Sequence, residues 1–169
     1  FIDTHLHQSI RTQVLDYEAW GFLLNLAYGV TAAMDPAAKI DSFIYQDLID
    51  AGVIPGSRAY STGPLIISNR IRNVSKQQAF ALVRRYKEHY RTNNIKIYAG
   101  LDRLTRQYIA MAARTLGLMQ TTESGDFMLN STYAIDGITA IEHSQSHSYQ
   151  DVIELYKQSN MGYSPTVLI

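Results

Sequence analysis

The chain has 169 residues, 15 basic and 15 acidic side chains with a formal charge of zero, and no cysteine. That length suits one hydrophobic core and a single domain over 1–169. The even charge speaks against nucleic acid and against an anionic membrane surface as partners, and the lack of cysteine excludes disulfides and thiolate metal sites while leaving the compartment open. No apolar run approaches the ~18–20 residues that span a bilayer.

Short apolar strands alternate with helical periods along the chain. Ile2 to His7 reads as the first strand. A helix follows through Val14, Tyr17, Trp20, Leu23, Leu24 and Ala27, apolar at spacings of three and four, and Gly29 ends it. Val30 to Met34 is the second strand, stopped by Asp35-Pro36. A helix carrying Phe43, Ile44, Leu48 and Ile49 leads to a third strand at Arg58–Ser61. The longest irregular stretch runs from Thr62 to Asn73, and Ser75 with Gln78 forms a capping box that opens the next helix. Ile95 to Tyr98 is the fourth strand, and Asp102 caps a helix closed by Gly117. Leu118 to Glu123 is the fifth strand, with a short helical turn from Phe127 to Tyr133. Thr139 to His143 is the sixth, Ser148 caps a helix bearing Val152 and Leu155, and Tyr163 to Leu168 is the seventh.

A βα unit repeated six times implies parallel strands with right-handed crossovers. A doubly wound nucleotide fold would place a glycine-rich turn after its first strand. Here that turn is His7-Gln-Ser-Ile-Arg11, without glycine, which argues against a nucleotide-binding module. A (β/α)8 barrel instead gathers functional side chains at the C-terminal ends of its strands. His5, His7, Asp35, Lys96, Glu123 and His143 all fall in or at strand ends. The expected fold is therefore α/β, of the (β/α)8 TIM-barrel type.

His5 and His7 are two residues apart, so on a strand they share one face, about 7 Å apart. Two such imidazoles can hold one divalent cation, zinc among the suitable ones. The same pair also fits a merely polar strand end. Lys96 interrupts the apolar run Ile95-Lys96-Ile97. A lysine buried there is costly to keep charged, and a neutral amine can add carbon dioxide to become a carbamate, an anionic oxygen ligand. The bland reading of Lys96 is an edge lysine facing water. His143 closes the sixth strand and is expected to point the same way as His5 and His7, which turns Glu142 outward between strand and helix. Arg70 and Arg72, in the irregular stretch, are candidates for binding a substrate carboxylate. His147 belongs to a surface or substrate loop, and His89 to a solvated helix face.

Phe-Ile-Asp-Thr-His-Leu-His at the start resembles the opening strand of the amidohydrolase superfamily. Gly29-Val-Thr31 with Asp35-Pro36 resembles its second strand, Ile141-Glu-His-Ser144 its sixth and Ser164-Pro-Thr166 its seventh. The motifs Asn25 to Thr31, Tyr60-Ser-Thr-Gly63, Asp136-Gly137 and Asp151-Val152 are most similar to the imidazolonepropionase-like and prolidase-like branch, in particular amidohydrolases fused to a TolB-type β-propeller.

The resemblance implies a hydrolase of amide, peptide or cyclic amide bonds in small-molecule or peptide substrates, with one or two zinc ions. In that family His5 and His7 would hold the first metal, a carboxylated Lys96 would bridge two, and His143 would hold the second. Glu123 stands where the commoner pattern has histidine, and a carboxylate also ligates zinc. The family's catalytic aspartate on strand eight has no counterpart in these residues, nor has its small β-sandwich. With ~250 residues typical of a complete barrel, the expectation is a fragment of about seven strands. The competing expectation is an inactive, truncated barrel whose open edges pair with a partner or with a second copy as a homo-oligomer.

Overall fold

The computed structural model describes residues 1–8, 15, 17–37, 41–67, 71–98, 100–145 and 149–166. Two compact units divide the chain, Phe1–Leu65 and Ile66–Ile169.

The first unit is a parallel sheet of three strands, β1 (Ile2–Asp3), β2 (Ala32–Asp35) and β3 (Arg58–Ser61), in that order, with helices α1 (Trp20–Ala27) and α2 (Asp41–Asp50) between them. Its core is small. Phe22 of α1 stacks on Tyr45 of α2 with ring centroids 5.4 Å apart, and Ile54 and Ala59 close around them.

β1 is shorter than the expected Ile2 to His7. The Asp3 carboxylate accepts the N–H of His5 at 3.0 Å, an Asx-type turn that competes with strand pairing. Pairing resumes where Leu6 N–H donates to Met34 O at 2.9 Å. Ile2 and Asp3 pair with Ala32 and Ala33, so the first segment carries one residue more than β2 over the same stretch. The chain therefore bulges at Thr4-His5, which re-aims the residues that follow.

The second unit is a parallel sheet of four strands, β4 (Asn94–Ile97), β5 (Met119–Glu123), β6 (Ala140–Glu142) and β7 (Gly162–Ser164), in sequence order. Helix α3 (Lys76–Glu88) precedes β4, and α4 (Arg103–Leu116), α5 (Phe127–Asp136) and α6 (Gln150–Gln158) make the crossovers. Ile66 adds a bridge to Ile97. The helices begin where polar caps stop the strands. Ser75 and Gln78 form the reciprocal box that opens α3, and the carboxylates of Asp102 and Asp126 accept N–H groups in the first turns of α4 and α5. Gly117 and Gly137, at φ of 70° and 85°, end α4 and α5 in the left-handed conformation that suits glycine.

The Phe127 segment is a full helix of ten residues rather than a short turn. Asp126 and Gly137 bound it at both ends, which the periodicity of its apolar residues does not reveal. Helix α6 has Tyr149 at its cap position with no side-chain cap. Ser148, expected as the cap, lies outside the described residues, as do Val14 and residues 167–169.

Alternation along the strands sorts the second sheet into two faces. Ile95, Ile97 and Ile141 enter a core with Val83 of α3, Ile109 of α4 and Tyr133 of α5. The residues between them face the other way. Lys96 is in register with Thr121, Thr121 with Ala140, and Glu123 with Glu142, so these side chains share the face opposite the helices. Among the described residues no helix is long and apolar enough to cross a membrane.

The helical layer has its own polar clamp. The Asp136 side chain, 1% exposed, accepts from Arg103 at 3.0 Å, Arg106 at 2.9 Å and Gln107 at 2.9 Å. Arg106 also donates to Thr132 and lies over the Tyr133 ring at 4.8 Å. Burial pushes the Asp136 carboxyl upward, but the donors from Arg103, Gln107 and Arg106 outweigh it and hold the group below the ordinary 3.8. Its contribution to stability is therefore complete above the ordinary carboxylate range and is lost as the pH falls. Replacing Asp136 by Asn leaves the buried Arg106 without its counter-charge. Urea unfolding near neutral pH is expected to show a loss of about 3 kcal/mol, and the gap to the parent protein is expected to narrow progressively as the pH falls below about 4 and through the lowered value of the folded carboxyl.

Candidate metal centre

Lys96, Glu123 and His143 come from three consecutive strand ends and meet. The Lys96 side chain is 1% exposed, and its Nζ lies 2.8 Å from Glu123 Oε1. The other carboxylate oxygen, Oε2, lies 2.5 Å from His143 Nε2. Glu123 is thus held between an ammonium and an imidazole, with both oxygens engaged. Such a pair is tolerated in a buried setting because each charge answers the other.

The register explains the meeting. Lys96 lies one residue before the end of β4, and Glu123 is the last residue of β5, two residues beyond Lys96's partner Thr121. Glu123 and Lys96 are therefore diagonal neighbours on one face, within reach for long side chains.

His143 arrives by another route. Simple alternation would point it away from this face, because Ile141 is in the helix-side core. Its backbone adopts φ of 70°, a left-handed conformation that breaks the alternation just past β6. The ring then turns to Glu123.

The same geometry corrects the expectation for Glu142. It does not point outward between strand and helix. It is 4% exposed, in register with Glu123, and accepts from Thr121 Oγ1 at 2.5 Å. A second carboxylate therefore lies on the Lys96 face. Thr121 and Glu142 are members of the site that sequence reasoning missed, and the signal was the alternation itself: with Ile141 assigned to the helices, Glu142 falls inside.

In the first unit, the His5 and His7 rings lie 5.1 Å apart, edge to face. The pair follows the bulge at Thr4-His5. Asp35, 5% exposed at the end of β2, receives the N–H of Gln8 at 3.2 Å and of Ala37 at 3.1 Å. Its Oδ1 is 3.4 Å from His7 Nδ1. A carboxylate behind an imidazole is the arrangement that orients a ligating histidine. Among the described residues, no three His, Cys, Asp or Glu side chains form a ready metal cluster.

Arg72 is exposed. Arg70 and His147 lie outside the described residues. His89 is the exposed C-cap of α3.

No protein-family model and no curated protein sequence matches this chain. Solved structures do. A Xaa-Pro dipeptidase with bound methionine is matched over 96% of this chain and 52% of its own, at 15% identity and a TM-score of 0.68. The A. niger ochratoxinase is matched over 96% and 51%, at 16% identity and a TM-score of 0.74. A prolidase complexed with N-methylphosphonate-L-proline is matched over 98% and 52%, at 14% identity and a TM-score of 0.75. At such identities the likeness is one of fold. The chain is an α/β protein of parallel sheets that matches part of a TIM barrel, and it spans about half the length of these neighbours.

The Lys96–Glu123 pair makes a stability test available. In chelator, Glu123→Gln leaves a buried ammonium without its counter-charge and is expected to cost about 3 kcal/mol in urea unfolding. Adding Lys96→Met to that variant removes the orphaned charge and is expected to recover most of the loss.

Proposed function

We propose that this chain is part of a metal-dependent hydrolase of the amidohydrolase superfamily, acting on an amide, peptide or cyclic amide bond. The observation that carries the reading is the convergence of Lys96, Glu123 and His143 at the ends of three adjacent parallel strands. Functional side chains of (β/α)8 enzymes gather at that end of the strands. The fold neighbours are hydrolases, a dipeptidase and a prolidase among them.

The donor set fits a divalent cation. Glu123 supplies a carboxylate and His143 an imidazole, both ordinary zinc ligands. Lys96 is a competitor while it is an ammonium, since its positive charge occupies Glu123. As a neutral amine it can add to carbon dioxide. The nitrogen forms a bond to carbon, one C=O π bond becomes C–O⁻, and a proton leaves. The carbamate is anionic and presents oxygen, which turns the competitor into a ligand. His5 and His7, with Asp35 behind His7, would supply the imidazoles for a first metal. A bound divalent cation would supply Lewis acidity, polarising a carbonyl and lowering the pKa of water.

The chain's own residues do the remaining work of placement. The Glu123 carboxylate sets the spacing between Lys96 and His143. Thr121 donates its hydroxyl to Glu142, so that a second carboxyl group adjoins the site. Asp35 Oδ1 stands 3.4 Å from His7 Nδ1, placed to orient that ring.

Metal analysis tests the proposal. Protein purified without chelator is expected to contain about one or two equivalents of zinc or a similar divalent ion. The Lys96→Ala/His143→Ala variant is expected to lose the equivalent that Lys96, Glu123 and His143 would hold, and to lose any hydrolysis of Xaa-Pro dipeptides along with it. Equal metal content in parent and variant would overturn the assignment.

A further inference from the structure

The exit of β7 grips the residues after β6 at three points. His143 N–H donates to Ser164 O at 3.0 Å. Ser144 Oγ donates to Thr166 O at 3.4 Å. His143 Nδ1 lies 2.7 Å from Thr166 Oγ1. These contacts surround a residue whose φ is 70°. A side chain with a Cβ disfavours that conformation, and it persists where the surroundings over-determine it. The β7 exit is therefore what aims His143 at Glu123.

The identity of the third contact matters. Glu123 as a carboxylate only accepts hydrogen bonds. With Nε2 lying 2.5 Å from it, a neutral His143 ring carries its proton on Nε2, and Nδ1 must accept from its other partner. A ring that ligates a cation through Nε2 has the opposite tautomer: its proton is on Nδ1, which must donate. A backbone carbonyl or a carboxylate beside Nδ1 would serve only the second state. A hydroxyl serves both, because it donates or accepts after a rotation about one C–O bond.

We propose that Thr166 is the positioning residue of His143, and that its hydroxyl holds the ring in one orientation through both tautomers. Nε2 then passes from Glu123 to a divalent cation without the ring turning. The first half rests on the geometry alone; the second half rests on the metal-dependent reading above. Thr166 is not one of the proposed metal ligands, and its hydroxyl meets the His143 ring, so its effect is exerted through the imidazole.

Three proteins test this: the parent, Thr166→Val and Thr166→Ser. With 15N-labelled histidine in chelator, at a pH where the titration curve of the ring signals shows the parent's imidazole to be neutral, the parent is expected to show His143 protonated on Nε2 alone. Thr166→Val is expected to show a mixture of tautomers and a broadened ring signal, and Thr166→Ser the parent pattern. Zinc titration is expected to give about 10- to 100-fold weaker binding for Thr166→Val, with the serine variant close to the parent. A valine variant with the parent's tautomer and the parent's zinc affinity would overturn the proposal, as would failure of serine to restore both. Should the parent itself bind no zinc, the metal reading falls and takes the second half with it. The tautomer measurement still decides whether Thr166 holds the ring.

Discussion

A lysine with none of its surface exposed to water imposes the central constraint on the second unit. Lys96 lies between Ile95 and Ile97, whose side chains face the helices, so its own side chain must go to the opposite face. A buried ammonium needs an anion close by. Glu123 provides it at 2.8 Å, and only the parallel register of β4 and β5 brings the two within reach. The second oxygen of that carboxylate draws His143. The histidine meets it only because its backbone leaves the β region, and the exit of β7 holds that backbone in place. One buried charge thus sets a sequence of dependencies across four strands.

The helical layer works on different terms. Its interior is aliphatic and aromatic, with Val83, Ile109 and Tyr133 against the strand isoleucines. Its polar cluster around Asp136 joins α4 to α5 on the far side of the strands from Lys96. This division lets the opposite face of the sheet carry charged and hydroxyl groups. Stability rests on the helices and on the helix-facing side of the pleat, whereas chemistry collects on the side that holds Lys96, Thr121, Glu123 and Glu142.

The first unit places its histidines by a local device. The Asp3 carboxylate interrupts β1 by taking the His5 N–H, and one extra residue bulges out before pairing with β2 resumes at Leu6. The two rings lie edge to face, 5.1 Å apart. Asp35, at the end of the neighbouring strand, then stands behind His7. Both units therefore use a break in regular β structure to aim an imidazole: a bulge before His7, a left-handed residue at His143.

The alternation of elements was legible in the chain because its signals are local. The capping box at Ser75, the cap at Asp102 and the strand at Arg58–Ser61 all depend on neighbours a few residues away. So did the candidacy of Lys96, since a lone lysine in an apolar strand stands out by its cost. What the chain could not disclose was direction. Whether Glu142 or His143 faces Lys96 depends on which side of the sheet Ile141 fills and on one backbone angle held by Ser164 and Thr166, residues some twenty positions further on. Hydrogen bonds between distant strand ends decide that, and a one-dimensional pattern carries no record of them.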